Sequence, residues 1–185
     1  MQHYFLIKII RLKKLLIICH LFTLNSFSQA ADTLGVDIYD ALYLIQNNEL
    51  IKKTPNKSYN YKNIALGDIF SVDIINPMEI VVFYQDFNTV IILDNNLNQK
   101  ANIPFVDTIL FTGKSIVNTI WRYNDTNQKI EQYDYRSQTV RIASQPLTNF
   151  TPLGMKSDFN RVELIGKEKT IIFNQYLYIS ETIQH

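Results

Sequence analysis

Four carboxylates, Asp86, Asp125, Glu131 and Asp134, are the side chains of this 185-residue chain whose type best suits acid–base work. Two of them held several ångströms apart could protonate and attack a glycosidic bond. Residue type does not bring them together, however, and the ordinary place of such acids is a solvated turn or strand face. Other nucleophile chemistry has little material. The three histidines are His3, His20 and His185, and the one cysteine is Cys19. Past the first thirty residues, a Ser-His-Asp triad, a Cys-His pair and a His- or Cys-based zinc site all lack their parts.

Two short motifs imitate ligand loops and fail on their spacing. Gly113-Lys114-Ser115 resembles the end of a phosphate loop, but Thr108 stands where the first Gly belongs and the flanks read as strand. Asp94-Asn95-Asn96-Leu97-Asn98 opens like a calcium loop, yet Gln99 replaces the Gly and Phe105 the bidentate Glu. No cofactor is expected, calcium being the one cation that oxygen ligands outside that motif could hold. Tyr59/Tyr61, Tyr133/Tyr135 and Tyr176/Tyr178 recur at spacing two and so project from one face of a strand. That arrangement could stack on a sugar, although covering a sheet face is the ordinary use of strand aromatics. Trp121 and Arg122 alternate, which predicts one buried and one exposed.

The first thirty residues read as an address. Lys8, Arg11, Lys13 and Lys14 precede an apolar run from Leu15 to Leu24, and the small residues Ser26, Ser28 and Ala30 follow. A cleaved signal peptide over 1–30 is expected, cut after Ser28 or Ala30, because the run is too short to span a bilayer. Cys19 follows Leu16-Ile17-Ile18, which excludes a lipoprotein signal. Removal takes four of 18 bases and none of 17 acids, leaving a charge of −3. No basic patch for nucleic acid or an anionic membrane survives, and no membrane span is expected in the mature chain. The expected location is beyond the inner membrane, periplasmic or secreted.

The elements that must position any site come from a repeat of about forty residues. Apolar runs end at Ile45, Tyr84, Tyr123 and Ile165, each followed by a polar turn and a second run centred on Ile51, Ile91, Ile130 and Ile171. The second runs stop at Thr54, Asp94, Asp134 and Asn174. These three residue types share a short oxygen-bearing side chain that can accept a backbone N–H two residues on and open a turn. A third strand follows in each unit, at Ser58–Tyr61, 99–103, 139–142 and 176–179, and one precedes, plainest at 35–38 and 71–74. Short strands rich in Ile, Val and Tyr at this density predict an all-β domain over 31–185, and four strands per forty residues predict propeller blades. A β-sandwich is the rival architecture. Strands this short exclude an outer-membrane barrel.

Tyr84 to Asn98, read as Y-Q-D-F-N-T-V-I-I-L-D-N-N-L-N, resembles the YVTN-type repeat of β-propellers in exported bacterial-type proteins. Leu93-Asp94 and Tyr133-Asp134 stand where WD40 repeats keep their Trp-Asp pair. The resemblance implies radially arranged four-stranded sheets and no particular activity. About four blades are expected, either as a compact ring or as an open arc, an incomplete propeller whose strand edges would pair with a second copy or with a missing C-terminal portion.

The expected role is a non-catalytic, exported scaffold that presents its strand-connecting turns to a protein or glycan partner. The residues expected to converge on one rim are Asn47, Asn48, Asp86, Asn88, Asn124, Asp125 and Asn127. The alternative is a propeller-class hydrolase of glycosidase or lactonase type, working through carboxylates and a bound cation.

Overall fold

The structure is a computed structural model that describes residues 31–185. The expected leader and its cleavage sites lie outside the described residues. Sixteen strands form four antiparallel four-stranded sheets, each in simple sequence order. Blade 1 holds β1 (Asp32–Val36), β2 (Leu42–Gln46), β3 (Glu49–Lys53) and β4 (Ser58–Tyr61). Blade 2 holds β5 (Ser71–Asp73), β6 (Ile80–Tyr84), β7 (Thr89–Leu93) and β8 (Gln99–Pro104). Blade 3 holds β9 (Ile109–Lys114), β10 (Thr119–Asn124), β11 (Lys129–Asp134) and β12 (Thr139–Ala143). Blade 4 holds β13 (Gly154–Ser157), β14 (Val162–Ile165), β15 (Lys169–Phe173) and β16 (Ile179–Gln184). This is a four-bladed propeller arrangement. First strands meet one another at β5–β9 and β9–β13, and so line the axis, while β16 is exposed along its whole length.

Side-chain alternation explains why the blades stack. All ten residues of β6 and β7 are buried, because both faces of blade 2 are covered. Ile80, Val82, Tyr84, Ile91 and Leu93 pack on Tyr43 and Leu50 of blade 1. The opposite set, Val81, Phe83, Val90 and Ile92, packs on Ile120 and Tyr133 of blade 3. A third core joins Trp121, Tyr123 and Ile130 to Val162, Leu164, Ile171 and Phe173 of blade 4. The outer faces of the first and last blades, with Leu42, Leu44 and Ile51 on one and Ile165 and Ile172 on the other, belong to none of these cores.

The four expected corners use one mechanism. Asp94 Oδ1 accepts the N–H of Asn96 and Asn98, Asp134 Oδ1 that of Arg136 and Ser137, and Asn174 Oδ1 that of Tyr176 and Tyr178. Thr54 Oγ1 accepts one from Lys57, three residues on. Leu97 and Leu177 both sit at φ 60°, so the turns after Asp94 and Asn174 are the same five-residue loop eighty residues apart.

Some expectations need correction. Tyr176 and Tyr178 flank that left-handed Leu177 in a turn, and both are exposed; the fourth strand of blade 4 starts later, at Ile179. Asp37 caps a turn by accepting the Tyr39 and Ala41 N–H groups, so the first strand ends at Val36 and does not run to Ile38. Trp121 and Arg122 are both buried, since blade 3 is covered on both faces. Pro104 closes β8, an edge strand that tolerates its missing N–H. Among the described residues, no helix is long and apolar enough to cross a membrane.

Candidate functional site

The turns between second and third strands are tied to the links between blades. Asn48, at φ 58°, donates from Nδ2 to the Gly67 carbonyl (2.8 Å) and accepts the Ile69 N–H (2.7 Å). Asn88, at φ 48°, repeats the device: Nδ2 donates to the carbonyls of Phe105 (2.9 Å) and Asp107 (2.6 Å), and Oδ1 accepts the Ile109 N–H (3.0 Å). Asn tolerates this left-handed backbone and its amide supplies both a donor and an acceptor. In blade 3 the Asp125 N–H donates to the Thr108 carbonyl (2.8 Å).

These bonds divide the seven expected rim residues. Asn48 and Asn88 spend their amides on the scaffold. Asn124 is fully buried: its Nδ2 donates to Asp107 Oδ2 (3.0 Å) and reaches Glu131, while its Oδ1 has no partner. Asn127 Nδ2 donates to Glu131 Oε1 (2.9 Å). Asn47, Asp86 and Asp125 keep exposed side chains. Asparagine at a turn is chemically as fit for a partner as for a neighbouring link, which is why residue type did not separate the two uses.

The four candidate carboxylates divide in the same way. Glu131 is buried against Arg122, with Nε and Nη2 each 2.8 Å from Oε2, and the guanidinium lies over the rings of Tyr133 (4.1 Å) and Phe105 (4.9 Å). Asp134 is held by Ser137 and Arg136 N–H groups and by Arg141, whose Nη2 is 2.6 Å from Oδ2; the backbone bond from Ser137 leads in holding its carboxyl below the usual range. Asp86 and Asp125 remain exposed on turns. Asp94 likewise spends its oxygens on its own turn. Among the described residues, no group of three His, Cys, Asp or Glu side chains is placed to hold a metal.

Sequence reasoning missed two buried lysines. Lys52 Nζ lies 3.4 Å from Asp37 and donates to the Asn95 carbonyl (3.1 Å) and to its side chain, joining blade 1 to blade 2. Lys114 Nζ lies 3.1 Å from Glu79 and donates to the Thr119 carbonyl (3.0 Å). Tyr135 crosses from blade 3 to donate to Glu79 (2.7 Å). The available signal was register: Lys52 occupies a strand position whose neighbour two residues earlier, Leu50, is a core residue.

A second feature lies at the axis. A cavity of about 480 Å³ is bounded by Ser71 and Asp73 of β5, Thr112 of β9, and Met155, Lys156 and Ser157 of β13. Gly113 permits this convergence, because a Cβ there would stand 2.2 Å from Ser157 Oγ and 3.2 Å from Asp73 Oδ2. Asp73 accepts the Ile75 N–H (2.9 Å) and the Lys114 N–H (2.8 Å). Burial nevertheless leads and raises its carboxyl above the ordinary range.

No family model matches the chain, and no curated protein matches it in sequence. Solved structures do match in fold. A selenomethionine-substituted virginiamycin B lyase from Staphylococcus aureus is 11% identical at a TM-score of 0.59, over 88% of this chain and 58% of that one. The Neurospora crassa Pan2 WD40 domain is 11% identical at 0.58, over 83% and 51%. BamB from Moraxella catarrhalis is 13% identical at 0.57, over 85% and 51%. The blades and these likenesses define the class: the protein has a WD40-like β-propeller fold. It spans between 51% and 58% of the length of these three structures.

Proposed function

We propose that the protein is an exported, non-catalytic binding scaffold that engages a protein partner through the rim formed by its turns and interblade links, a glycan being the alternative partner. One observation carries this reading. The rim is braced from beneath by Asn48 and Asn88, yet it holds large apolar side chains out into solvent: Ile64 is 85% exposed, Phe87 55%, and Val106 fully. Phe87 lies over the link at Gly67, its ring 3.4 Å from where a Cβ would stand, so turn and link form one surface. Apolar side chains on a rigid support, beside the acids Asp86 and Asp125, suit a protein contact. WD40 and other propeller structures of like fold are consistent with a scaffold role.

The rim is tested by Phe87→Ser/Val106→Ser in the full chain, with partners captured by crosslinking in the producing cell. Both sites are exposed, so the double variant should keep its melting temperature within about 2 °C while losing at least about tenfold in captured partner. Undiminished capture with intact fold would remove the rim from the account. Export is tested separately by the intact mass of the protein recovered outside the inner membrane. A mature chain beginning at Gln29 or Ala31 is expected, and a chain retaining Met1 would overturn it.

A further inference from the structure

The outer faces of blades 1 and 4 have the residue pattern of a blade junction. Among the described residues, no core, ion pair or backbone hydrogen bond joins these two blades to each other. Strand register identifies what each face is shaped for. Leu42, Leu44, Ile51 and Lys53 of blade 1 stand where blade 2 has Ile80, Val82, Ile91 and Leu93, the set that packs on blade 1. Glu163, Ile165, Thr170 and Ile172 of blade 4 stand where blade 1 has Tyr43, Ile45, Leu50 and Lys52, the set that meets blade 2. The two end faces are therefore the two halves of one more junction. Val36, the register partner of Leu42, is 58% exposed, and Ile183, the partner of Thr170, is 43% exposed. End units of a stacked repeat need polar outer faces when nothing covers them, whereas these two are apolar at their centres.

The charges of the two faces complement each other at the same end. Lys53 takes the place of Leu93, and Glu181, paired with Ile172 as Tyr59 is paired with Lys52, takes the place of Tyr59. Leu93 and Tyr59 belong to one core between blades 1 and 2, so the equivalent junction sets Lys53 beside Glu181. Both are exposed and neither is in an ion pair. The other acids on these faces have partners: Glu163 meets Arg161 (2.8 Å) with Lys156 next to it in register, and Glu49 accepts from Asn60 Nδ2 (2.6 Å). The number of blades points to the occupant. Four blades that superpose on 51 to 58% of whole propeller structures have the curvature of a ring of about seven to eight. We propose that two copies of the chain close an eight-bladed ring, blade 4 of each against blade 1 of the other, through two identical junctions about a two-fold axis. A face four strands wide and five residues long measures about 19 by 17 Å, so the four covered faces come to about 1,300 Å² as flat footprints, enough for a stable dimer.

The test is sedimentation equilibrium of the full chain as isolated from the producing cell. Twice the mass of one copy is expected at about 10 μM, since an interface of this size gives micromolar affinity or better. Lys53→Glu and Glu181→Lys should each weaken the dimer at least about tenfold by placing like charges together, and the double variant should recover it. Should a variant not fold, zero-length carbodiimide crosslinking of the unsubstituted protein decides: the covalent dimer should contain the Lys53 peptide joined to the Glu181 peptide. A single copy at every concentration, an open series of larger species, or a dimer that Lys53→Glu leaves intact overturns the proposal. The same crosslink within one copy overturns it too, by showing four blades closed on themselves, as does a complex of one copy with a different protein. Phe87→Ser/Val106→Ser should leave the dimer unchanged, so the ring and the rim stand or fall separately.

Discussion

Glu131→Ala should be among the most damaging single substitutions in the domain, costing about 3–5 kcal/mol and lowering the melting temperature by about 10 °C. The substitution removes one carboxylate and strands several donors at once. Arg122 keeps its charge, buried against the rings of Phe105 and Tyr133, with no anion to meet it. Asn127 loses the oxygen that receives its amide, and Asn124, whose Oδ1 already lacks a partner, keeps only Asp107 for its own. The ion pair itself is not the main source of stability, because bringing both charges out of water opposes their attraction. Arg122→Met/Glu131→Leu should therefore recover most of the loss, as apolar side chains fill the space between blades 2 and 3. Urea unfolding of Arg122→Met, Glu131→Leu and the double, each against the parent, gives the coupling directly. A Glu131→Ala protein within about 1 kcal/mol of the parent, or a double no better than the single, would show that the cluster is solvated and not the buried unit described.

Trp121→Ala should cost a similar amount, about 3–5 kcal/mol, by a different route. The indole is completely buried in the core between blades 3 and 4, and its N–H donates to the Asp158 carbonyl at 2.8 Å. Truncation leaves a large cavity against Tyr123, Val162 and Leu164 and frees that carbonyl. Trp121→Phe should keep much of the packing and lose the bond, for a cost of about 1–2 kcal/mol. Because Trp121 is the only tryptophan of the chain, its emission reports this one junction. The native spectrum should be blue-shifted and should move to the red as blade 4 separates from blade 3. A solvent-like emission maximum in the folded protein would contradict the stated burial.

Much of the frame was legible in the chain because its causes are local. The corners at Thr54, Asp94, Asp134 and Asn174 depend on a side-chain oxygen and an N–H within four residues, so residue type and a spacing of forty sufficed to place them. Alternation along β6 likewise puts Val81 and Val82 on opposite faces of blade 2. Tyr176 and Tyr178 misled for a related reason: alternate aromatics resemble a strand until Asn174 is seen to fold them into a turn.

The uses of the polar side chains were not legible, because their partners come from other blades. Asn48 meets Gly67 nineteen residues on, Asp73 meets Lys114 forty-one residues on, and Asn88 reaches Asp107. An asparagine or a carboxylate has the same hydrogen-bonding capacity whether it faces water, a ligand or a neighbouring strand. What the chain determined unaided was the repeat, its strands and the chemistry of its corners, which are settled by interactions over a few residues. What the tertiary structure alone decided was which polar groups are consumed in bracing the rim and which, like Asp73, are left facing a cavity. That depends on stacking the blades about an axis, where Gly113 lets Asp73 and Ser157 approach from separate sheets.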